Sequence, residues 1–455
     1  MSFQTTDPTT GKTEKTFDGF DGAAIRAAIR RAHDTYSDFR NTPVTVRAET
    51  LRNVAERLDA RRDELAALAT KEMGKTIGEA RAEVEKCAWV CRYYAEHAEE
   101  QLREEPIDTD AKATFLRNLP LGVVLAIMPW NFPYWQILRF AAPALAAGNT
   151  ALVKPAPSTP QCGLAVAELF AEAGFDEGCL QTILVEPEQV ESILDDPRVR
   201  AVTLTGSERA GSDVAAKAAA RIKPSVLELG GSDPFVVMPS ADLERALDAA
   251  VTSRMINNGQ SCIAAKRFVV HEDVADAFTD GLVARVEALK LGDPSDENTD
   301  VGPIATAELR DRLADQVARS VEAGARVLTG CEIVRGDGFF YRPGVLTEVP
   351  EDCPARTEEL FGPVAVVHRA RDLVHAIALA NETRYGLGAA IFTNDDAERE
   401  RAIRDLDAGC TFVNAFVKSD PRVPFGGTKA SGYGRELARD GLLSFVNRKT
   451  VWIEG

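Results

Sequence analysis

The sequence predicts an α/β protein with two doubly wound parallel-sheet domains. The chain of 455 residues is long enough for two or three domains with a large core. From residue 121 onward, strand and helix patterns alternate in two successive sets, which is typical of parallel sheets covered by helices. Two further segments, 111–119 and 447–453, have the pattern of strands with polar flanks, so both need pairing. The predicted ranges are 1–105 with 121–231 for the first domain and 232–435 for the second.

The residues before position 105 show helical periodicity. Apolar residues recur at three-to-four spacing among charged ones over 47–69 and 77–101, and each segment predicts a helix. Short apolar runs then predict strands at 122–128, 150–153, 180–185, 200–205, 267–270 and 364–368. Helical patterns alternate with these strands at 134–147, 159–173, from 207, 243–258, 274–289 and 372–383.

Composition excludes several classes of partner. The net charge of −17 disfavours nucleic acid, because phosphate binding needs basic patches. No stretch approaches the ~18–20 apolar residues of a membrane span, and the polar N-terminus lacks the apolar region of a secretory signal. Eight irregularly spaced cysteines predict a reducing compartment, hence the cytoplasm, and form no pattern typical of a metal site. The acidic surface fits equally a high-salt cytoplasm or an ordinary solvated face.

Cys262 is a candidate nucleophile, and Glu228 is its candidate partner. A thiolate attacks carbonyl carbons well, but it needs a group that takes up protons and activates water when the adduct is cleared. Glu228 ends an apolar run and precedes two glycines, which is how a strand end presents a side chain at the lip of a sheet. Burial there would raise the pKa of the carboxyl toward neutrality. Taken alone, a cysteine is more often an inert buried thiol, and a lone glutamate before two glycines is more often an ordinary strand-end charge.

Asn131 supplies the third element of a reacting centre. It lies in Pro129-Trp130-Asn131-Phe132-Pro133, where two prolines and two aromatic residues fix the turn. An amide held in such a turn can donate a hydrogen bond to a developing oxyanion.

Together, these segments resemble the aldehyde dehydrogenase superfamily. The resemblance runs nearly end to end, continuing in Thr205-Gly206-Ser207, in Glu358 to Pro363, in Pro424 to Lys429 and in Ser431 to Glu436. It implies that Cys262 attacks an aldehyde, that Asn131 holds the oxyanion, and that Glu228 activates the water that hydrolyses a thioester. It also implies that 106–120 with 440–455 form a small β flap, which mediates assembly into a homodimer or homotetramer.

The resemblance implies a nicotinamide cofactor in the first domain, although the chain lacks a Gly-x-Gly-x-x-Gly motif. Gly206 and Ser207 would place helix amides at the pyrophosphate, and Lys154 would contact the adenosine ribose. Pro157, followed by Ser158, stands where many NAD-preferring members carry a glutamate that repels a 2′-phosphate, so NADP or NAD is expected. The further cofactor contacts that the resemblance implies are Ile127, Pro129, Trp130, Glu359 and Phe361.

Substrate choice depends on the helix after Asn131. Trp135 and Arg139 lie one turn apart on that helix, so both are expected to line the tunnel to Cys262. An arginine there would pair with a substrate carboxylate, unless it is an ordinary surface arginine. Ser419 would be a further donor.

The chain most resembles the short bacterial and archaeal succinate-semialdehyde dehydrogenases, which implies oxidation of succinate semialdehyde to succinate. Glutarate semialdehyde or another small aldehyde is the alternative within the family. A cysteine-dependent hydrolase is the alternative outside it, although none of the five histidines lies in a motif that suggests a partner for the thiol.

Overall fold

The structure is a computed structural model that describes residues 3–455. Its α-helices, in chain order, are α1 (Gly22–Phe39), α2 (Val44–Ala60), α3 (Arg62–Met73), α4 (Ile77–Leu102), α5 (Trp135–Ala146), α6 (Pro160–Glu172), α7 (Val190–Asp195), α8 (Glu208–Ala219), α9 (Leu243–Met255), α10 (Glu272–Glu287), α11 (Ala307–Glu322), α12 (Pro354–Thr357), α13 (Leu373–Asn381), α14 (Asp396–Asp405) and α15 (Ala438–Leu443). Single 3₁₀ turns lie at Pro187–Gln189, Ile256–Gly259 and Lys429–Ser431.

The strands follow in the same order. They are β1 (Phe3–Asp7), β2 (Lys12–Phe17), β3 (Glu105–Pro106), β4 (Ala113–Pro120), β5 (Val123–Ile127), β6 (Thr150–Lys154), β7 (Leu180–Thr182), β8 (Val199–Thr205), β9 (Ser225–Glu228), β10 (Pro234–Val237), β11 (Arg267–His271), β12 (Arg326–Thr329), β13 (Glu332–Ile333), β14 (Tyr341–Arg342), β15 (Gly344–Thr347), β16 (Val364–Ala370), β17 (Ala389–Phe392), β18 (Thr411–Val413), β19 (Gly432–Tyr433) and β20 (Val446–Ile453).

The first large sheet is doubly wound. Its order within the described residues is β19-β9-β8-β5-β6-β7, and all pairings are parallel except that of the short β19. Apolar residues of α2, α4 and α5 fill one face, and those of α1, α7 and α8 fill the other. Strands buried on both faces read as continuous apolar runs, which is why β5 and β6 were visible in the sequence.

The second large sheet repeats this architecture. In residues 3–455 its order is β12-β15-β16-β11-β10-β17-β18, with only β12 antiparallel to its neighbour. Helices α9 and α10 pack on one face, while α13 and α14 pack on the other. The predicted α/β class with two doubly wound sheets is confirmed.

The flap segments pair with each other. Strand β20 runs antiparallel to β4 from Val446 opposite Pro120 to Ile453 opposite Ala113, and β3 adds a third strand. Trp452 and Ile453 leave 48% and 43% of their surface exposed, so this sheet keeps an apolar outer edge. Its role in assembly stays a prediction, as do the domain boundaries. Strand β19 belongs to the first sheet although the range predicted for the second domain included it.

One predicted helix is wrong. Residues 47–69 do not form a single helix, because α2 ends at Ala60 and α3 begins at Arg62. The break lies at Arg61, whose backbone has φ −103° and ψ 15° and whose guanidinium pairs with Glu64 in the following turn. Apolar periodicity continues across the break, so the pattern of residues does not reveal it. In the part of the chain described, no helix combines the length and apolarity needed to cross a membrane.

Candidate active site

A cavity of about 760 Å³ opens where the first sheet's strands end. Strands β5, β8 and β9 reach their carboxyl ends here, the edge at which open parallel sheets bind ligands. The cavity brings together the predicted site residues Pro129, Trp130, Asn131, Gly206, Ser207, Glu228, Cys262, Glu359 and Phe361. The predicted residues outside its lining are Ile127, Trp135, Lys154, Arg139, Pro157, Ser158 and Ser419.

A rigid turn holds Cys262 at this cavity. Asn257 and Asn258 both adopt left-handed backbone angles, with φ of 58° and 56°, a region that asparagine tolerates better than most residues. The Asn257 side-chain amide donates to the backbone oxygens of Asn131 (2.7 Å) and Gln260 (3.0 Å). The motif that precedes Cys262 therefore fixes the direction of the chain and ties it to the turn of Asn131.

Asn131 lies against the same turn. It is 4% exposed, and its Nδ2 donates to the backbone oxygen of Gln260 at 3.1 Å. An amide nitrogen carries two hydrogens, so the second one is available to an oxyanion formed next to Cys262.

The Cys262 thiol is held in its protonated form. Burial raises the pKa of Cys262 to about 12, opposed by the positive charges of Arg139 and Lys266. The Lys266 ammonium donates to the backbone oxygens of Ser261 (2.9 Å) and Cys262 (2.8 Å). At neutral pH the thiol consequently needs a base before it can attack.

Glu228 is a buried carboxyl without a partner. It is 2% exposed, and neither of its oxygens accepts a hydrogen bond from any described residue. Burial raises its pKa well above the usual value, and the nearby Glu436 raises it further, against Arg139 and Arg435. A carboxyl poised in this way at a cavity wall is suited to take a proton from water or thiol.

Arg139 lies in the interior, and its predicted role at the substrate stays a prediction. Its side chain is 2% exposed, so it is not a surface arginine, and its guanidinium does not line the cavity. It forms a buried ion pair with Glu436 and donates to Thr205 Oγ1 at 3.2 Å. In this structure the guanidinium therefore neutralises an internal carboxylate.

Trp135 and Ser419 both contact Lys86, a residue that the sequence analysis did not single out. The Lys86 ammonium donates to Ser419 Oγ at 2.8 Å and lies 4.3 Å from the centroid of the Trp135 ring. Burial, followed by the charge of Arg139, lowers the pKa of Lys86 to about 8. Lys86 is half-buried on α4 beside the buried Cys87, and a lysine at the border of the inward face was the available signal.

The start of α8 fits an anionic group. The Ser207 hydroxyl accepts from the amide of Ala210, whereas the amides of Glu208 and Arg209 donate to no described residue. These amides, Gly206 and Ser207 all border the cavity. Free amides at a helix start attract phosphate oxygens.

Lys154 supplies an unpaired cation at the same edge. It is 6% exposed and ends β6 opposite Ile127, and its ammonium makes no hydrogen bond or ion pair with a described residue. Its pKa is lowered mainly by burial, against the charges of Glu186 and Glu188. Pro157 and Ser158 follow it in half-buried positions, so no carboxylate stands at position 157.

Glu359 and Phe361 are two further residues of the cavity lining. Glu359 Oε1 accepts from the amide of Gly231 at 3.1 Å and lies 3.4 Å from the Lys266 ammonium. The Phe361 ring packs edge-to-face on Trp130 with centroids 5.7 Å apart. A carboxylate beside an aromatic wall can hold a ribose and the face of a planar ring.

Comparison with known sequences gives close relatives over the whole chain. Residues 1–451 match the model of the aldehyde dehydrogenase family. A protein of Mycolicibacterium paratuberculosis named succinate-semialdehyde dehydrogenase [NADP(+)] is 53% identical over all of this chain and 97% of its own length. A Synechocystis protein named probable succinate-semialdehyde dehydrogenase [NADP(+)] is 50% identical over the whole of both chains.

Solved structures of similar proteins superpose on the whole chain. Succinic semialdehyde dehydrogenase from Streptococcus pyogenes, in complex with NADP+, superposes over all of both chains with a TM-score of 0.97 at 35% identity. Gox0499 superposes over all of both chains with a TM-score of 0.98 at 41% identity. The chain therefore belongs to the aldehyde dehydrogenase family.

Proposed function

We propose that this protein oxidises succinate semialdehyde to succinate with NADP as the preferred cofactor. The observation that carries the proposal is the meeting of Cys262, Asn131 and an unpaired Glu228 in one cavity. Relatives that are about half identical over the full chain and are named for this reaction support the choice of substrate and cofactor.

The chemistry follows from the positions of these three residues. A base removes the proton of the Cys262 thiol, and the thiolate attacks the aldehyde carbon. The free Nδ2 hydrogen of Asn131 and the backbone amide of Cys262 hold the oxyanion. After oxidation the acyl group remains on sulfur as a thioester, and Glu228 takes a proton from the water that attacks it. The carboxylic acid leaves and the thiol is restored.

The residues present fit a nicotinamide dinucleotide. The unpaired amides at the start of α8 suit its diphosphate, and the buried, unpaired Lys154 suits the adenosine ribose or its 2′-phosphate. Glu359 and Phe361, with Trp130, would hold the nicotinamide end. When bound, such a cofactor accepts the hydride of the aldehyde adduct.

The predicted division of labour within the chain extends this proposal. Residues 1–105 with 121–231 bind the cofactor, and 232–435 carry the nucleophile. The flap, 106–120 with 440–455, joins copies into a homodimer or homotetramer through its exposed apolar edge. No histidine occurs among the described residues that line the cavity, so a hydrolase of the cysteine–histidine type gains no support.

A substrate panel tests the proposed function. Succinate semialdehyde, glutarate semialdehyde and butanal are each assayed with NADP and with NAD, and reduced cofactor is followed by absorbance. We expect the highest kcat/KM for succinate semialdehyde with NADP. Equal values for succinate semialdehyde and butanal would refute the substrate, and turnover without cofactor reduction would refute the reaction.

Pro157→Glu should raise the KM for NADP selectively. Two like charges ~4 Å apart repel by ~1 kcal/mol in water and by several times more near a protein surface, so we expect an increase of at least about fivefold. Pro157→Gln is the matched control, since it has the same length without the charge. Steady-state assays with both cofactors measure the effect. An unchanged KM for NADP in the glutamate variant would mean that the 2′ position is read elsewhere.

Arg139→Met should destabilise the protein and reduce turnover of charged and uncharged aldehydes alike. Removing one partner of a buried ion pair typically costs about 3–5 kcal/mol, because the other charge stays buried alone. The double variant Arg139→Met/Glu436→Leu should recover most of the melting temperature. Melting curves and kcat/KM for succinate semialdehyde and butanal measure both effects. A loss confined to succinate semialdehyde would return Arg139 to the role of a substrate anchor.

A further inference from the structure

Two buried cations, Lys266 and Arg254, lie behind the turn that carries Cys262. Lysine and arginine are almost never buried this deeply unless they act as partners of other groups. The chemistry derived above uses neither of them, so their contacts need a physical explanation.

Lys266 uses its donors on the carbonyl oxygens of this turn. Its ammonium donates to the backbone oxygens of Ser261 at 2.9 Å, of Cys262 at 2.8 Å and of Ala264 at 3.3 Å. An ammonium carries three N–H groups, so these contacts engage all of them. The carbonyls on both sides of the Cys262 α-carbon are therefore drawn toward one interior charge.

Arg254 holds the two ends of the same turn. Its guanidinium donates to the backbone oxygen of Ala265 at 3.3 Å and to that of Gly259. Between these ends, the backbone oxygen of Gln260 accepts from Asn131 Nδ2 at 3.1 Å. Side chains from the interior thus fix the carbonyls along the turn, and the middle of it, at the nucleophile, depends on Lys266.

The amide of Cys262 is oriented by the contact that Lys266 makes with Ser261. A trans peptide unit is planar, so its N–H points opposite to its C=O, and the chain has no cis peptide bond. Because the Ser261 oxygen faces the ammonium, the Cys262 N–H in the same peptide unit faces away from it. This amide donates to no described residue, and Cys262 borders the cavity. It is the amide that the proposed chemistry assigns to the oxyanion.

Lys266 also brings a positive charge to the reacting centre. Its ammonium lies 3.4 Å from Glu359 Oε1, a carboxylate of the cavity lining. Burial raises the pKa of Cys262, the charges of Arg139 and then Lys266 oppose it, and the charges of Glu359 and Asp233 add to it. In an interior with little water, such charges act more strongly than they would in solvent.

We propose that Lys266 is a positioning residue of the reaction, which holds the nucleophile turn by its carbonyl oxygens so that the Cys262 amide faces the oxyanion and the thiolate forms beside a positive charge. The inference rests on the nucleophilic role of Cys262 in the proposed function and deepens it. Lys266 lies outside the lining of the cavity, so it acts through the turn and touches no substrate.

Alkylation of the protein without substrate or cofactor tests the effect on the thiol. Iodoacetamide reacts with the thiolate, so at pH 8 the rate at Cys262 is proportional to its thiolate fraction. In Lys266→Met, which removes the charge and its donors, this rate should fall by about tenfold, equivalent to one unit of pKa. Lys266→Arg keeps a charge and N–H donors, and should stay within about threefold of the wild type.

Cys410 is the internal reference in the same samples. It is half-buried like Cys262, and burial raises its pKa to about 12 as well, with Arg435 as the cation that opposes this. Peptide mass spectrometry follows alkylation of both thiols. A general loosening of the fold would speed alkylation of both, whereas loss of the Lys266 charge should slow Cys262 alone. The ratio of the two rates therefore separates the proposed role from a merely structural one.

Turnover tests the orientation of the amide. In Lys266→Met, kcat should fall by about 10²- to 10³-fold, the loss typical of removing one donor to an oxyanion, while KM for the aldehyde changes little. The loss should be equal for succinate semialdehyde and butanal, because the same amide and thiol serve both. Arg254→Met is the matched control and should lose clearly less of kcat, since that cation binds neither the Ser261 nor the Cys262 oxygen.

Melting curves establish that each variant is folded. A folded Lys266→Met protein that keeps the wild-type kcat and the wild-type ratio of Cys262 to Cys410 alkylation would overturn the inference. If Lys266→Met does not fold, Lys266→Arg decides: a folded arginine variant that loses both readouts overturns the role, and one that keeps both supports it.

The proposed substrate fails in a different experiment. A wild-type enzyme that does not prefer succinate semialdehyde to butanal would refute that substrate and leave the role of Lys266 standing, because alkylation involves no aldehyde. Conversely, a wild-type preference with unchanged alkylation and kcat in Lys266→Met would refute only the role of Lys266.

Discussion

Cys262→Ala is expected to abolish aldehyde oxidation while the protein stays folded and binds cofactor. Without the thiol no covalent adduct forms, and loss of a nucleophile commonly removes on the order of 10⁴-fold or more of the turnover rate. The substitution removes only the sulfur atom of a half-buried side chain. No hydrogen bond of the surrounding turn with a described residue depends on this side chain, so the turn should keep its shape. Reduced-cofactor formation measures activity, and calorimetric titration with NADP measures binding.

Cys410→Ala is the matched control for this experiment. Cys410 is also half-buried, and burial raises its pKa to about 12 as well, yet it lies outside the lining of the cavity. Its alanine variant should retain nearly full activity. More than a trace of turnover in Cys262→Ala, with Cys410→Ala fully active, would remove Cys262 from the role of nucleophile.

The fold was predictable because local and global signals agree. Strand β5 and the centre of β6 are buried on both faces, so they appear as apolar runs between helical patterns. The flap strands were predicted for a different reason, since they are half-exposed strand patterns with polar flanks that need pairing. The break at Arg61 was not predictable, because it leaves the apolar periodicity of α2 and α3 in phase.

The reacting centre was more predictable than the substrate pocket. Asn131, Glu228 and Cys262 each lie in a local motif whose own backbone geometry positions the side chain. The state of Arg139 depends instead on Glu436, which the fold brings in from the far end of the chain. Lys86 likewise meets Ser419 only through tertiary packing. The sequence shows which charged residues exist, whereas the fold determines which of them remain unpaired.

Glu228→Gln should stall the enzyme after oxidation. Glutamine keeps the shape of the side chain but cannot take a proton, so water attacks the thioester slowly, and a general base commonly contributes about 10²–10⁴-fold. Stopped-flow absorbance should show a burst of reduced cofactor followed by a slow steady state. Acid-quenched samples should carry an acyl group on Cys262 that mass spectrometry detects. If burst and steady state fall by the same factor, Glu228 acts earlier, on the thiol.

The same variant should be more stable than the wild type above pH 5. Burial and the neighbouring Glu436 raise the pKa of Glu228 in the folded protein, so the folded state binds its proton more tightly than the unfolded state does. Stability therefore decreases as pH rises from the unfolded pKa of ~4.3 toward the folded value, because the unpaired carboxylate becomes charged inside the protein. Glutamine removes this penalty. The difference in melting temperature between variant and wild type should be small near pH 4.5 and grow toward pH 8, while wild-type turnover should fall as the carboxyl takes up its proton on acidification. A difference that is constant with pH would assign the gain to packing, and would mean that the carboxyl is not the strained, proton-accepting group that thioester hydrolysis requires.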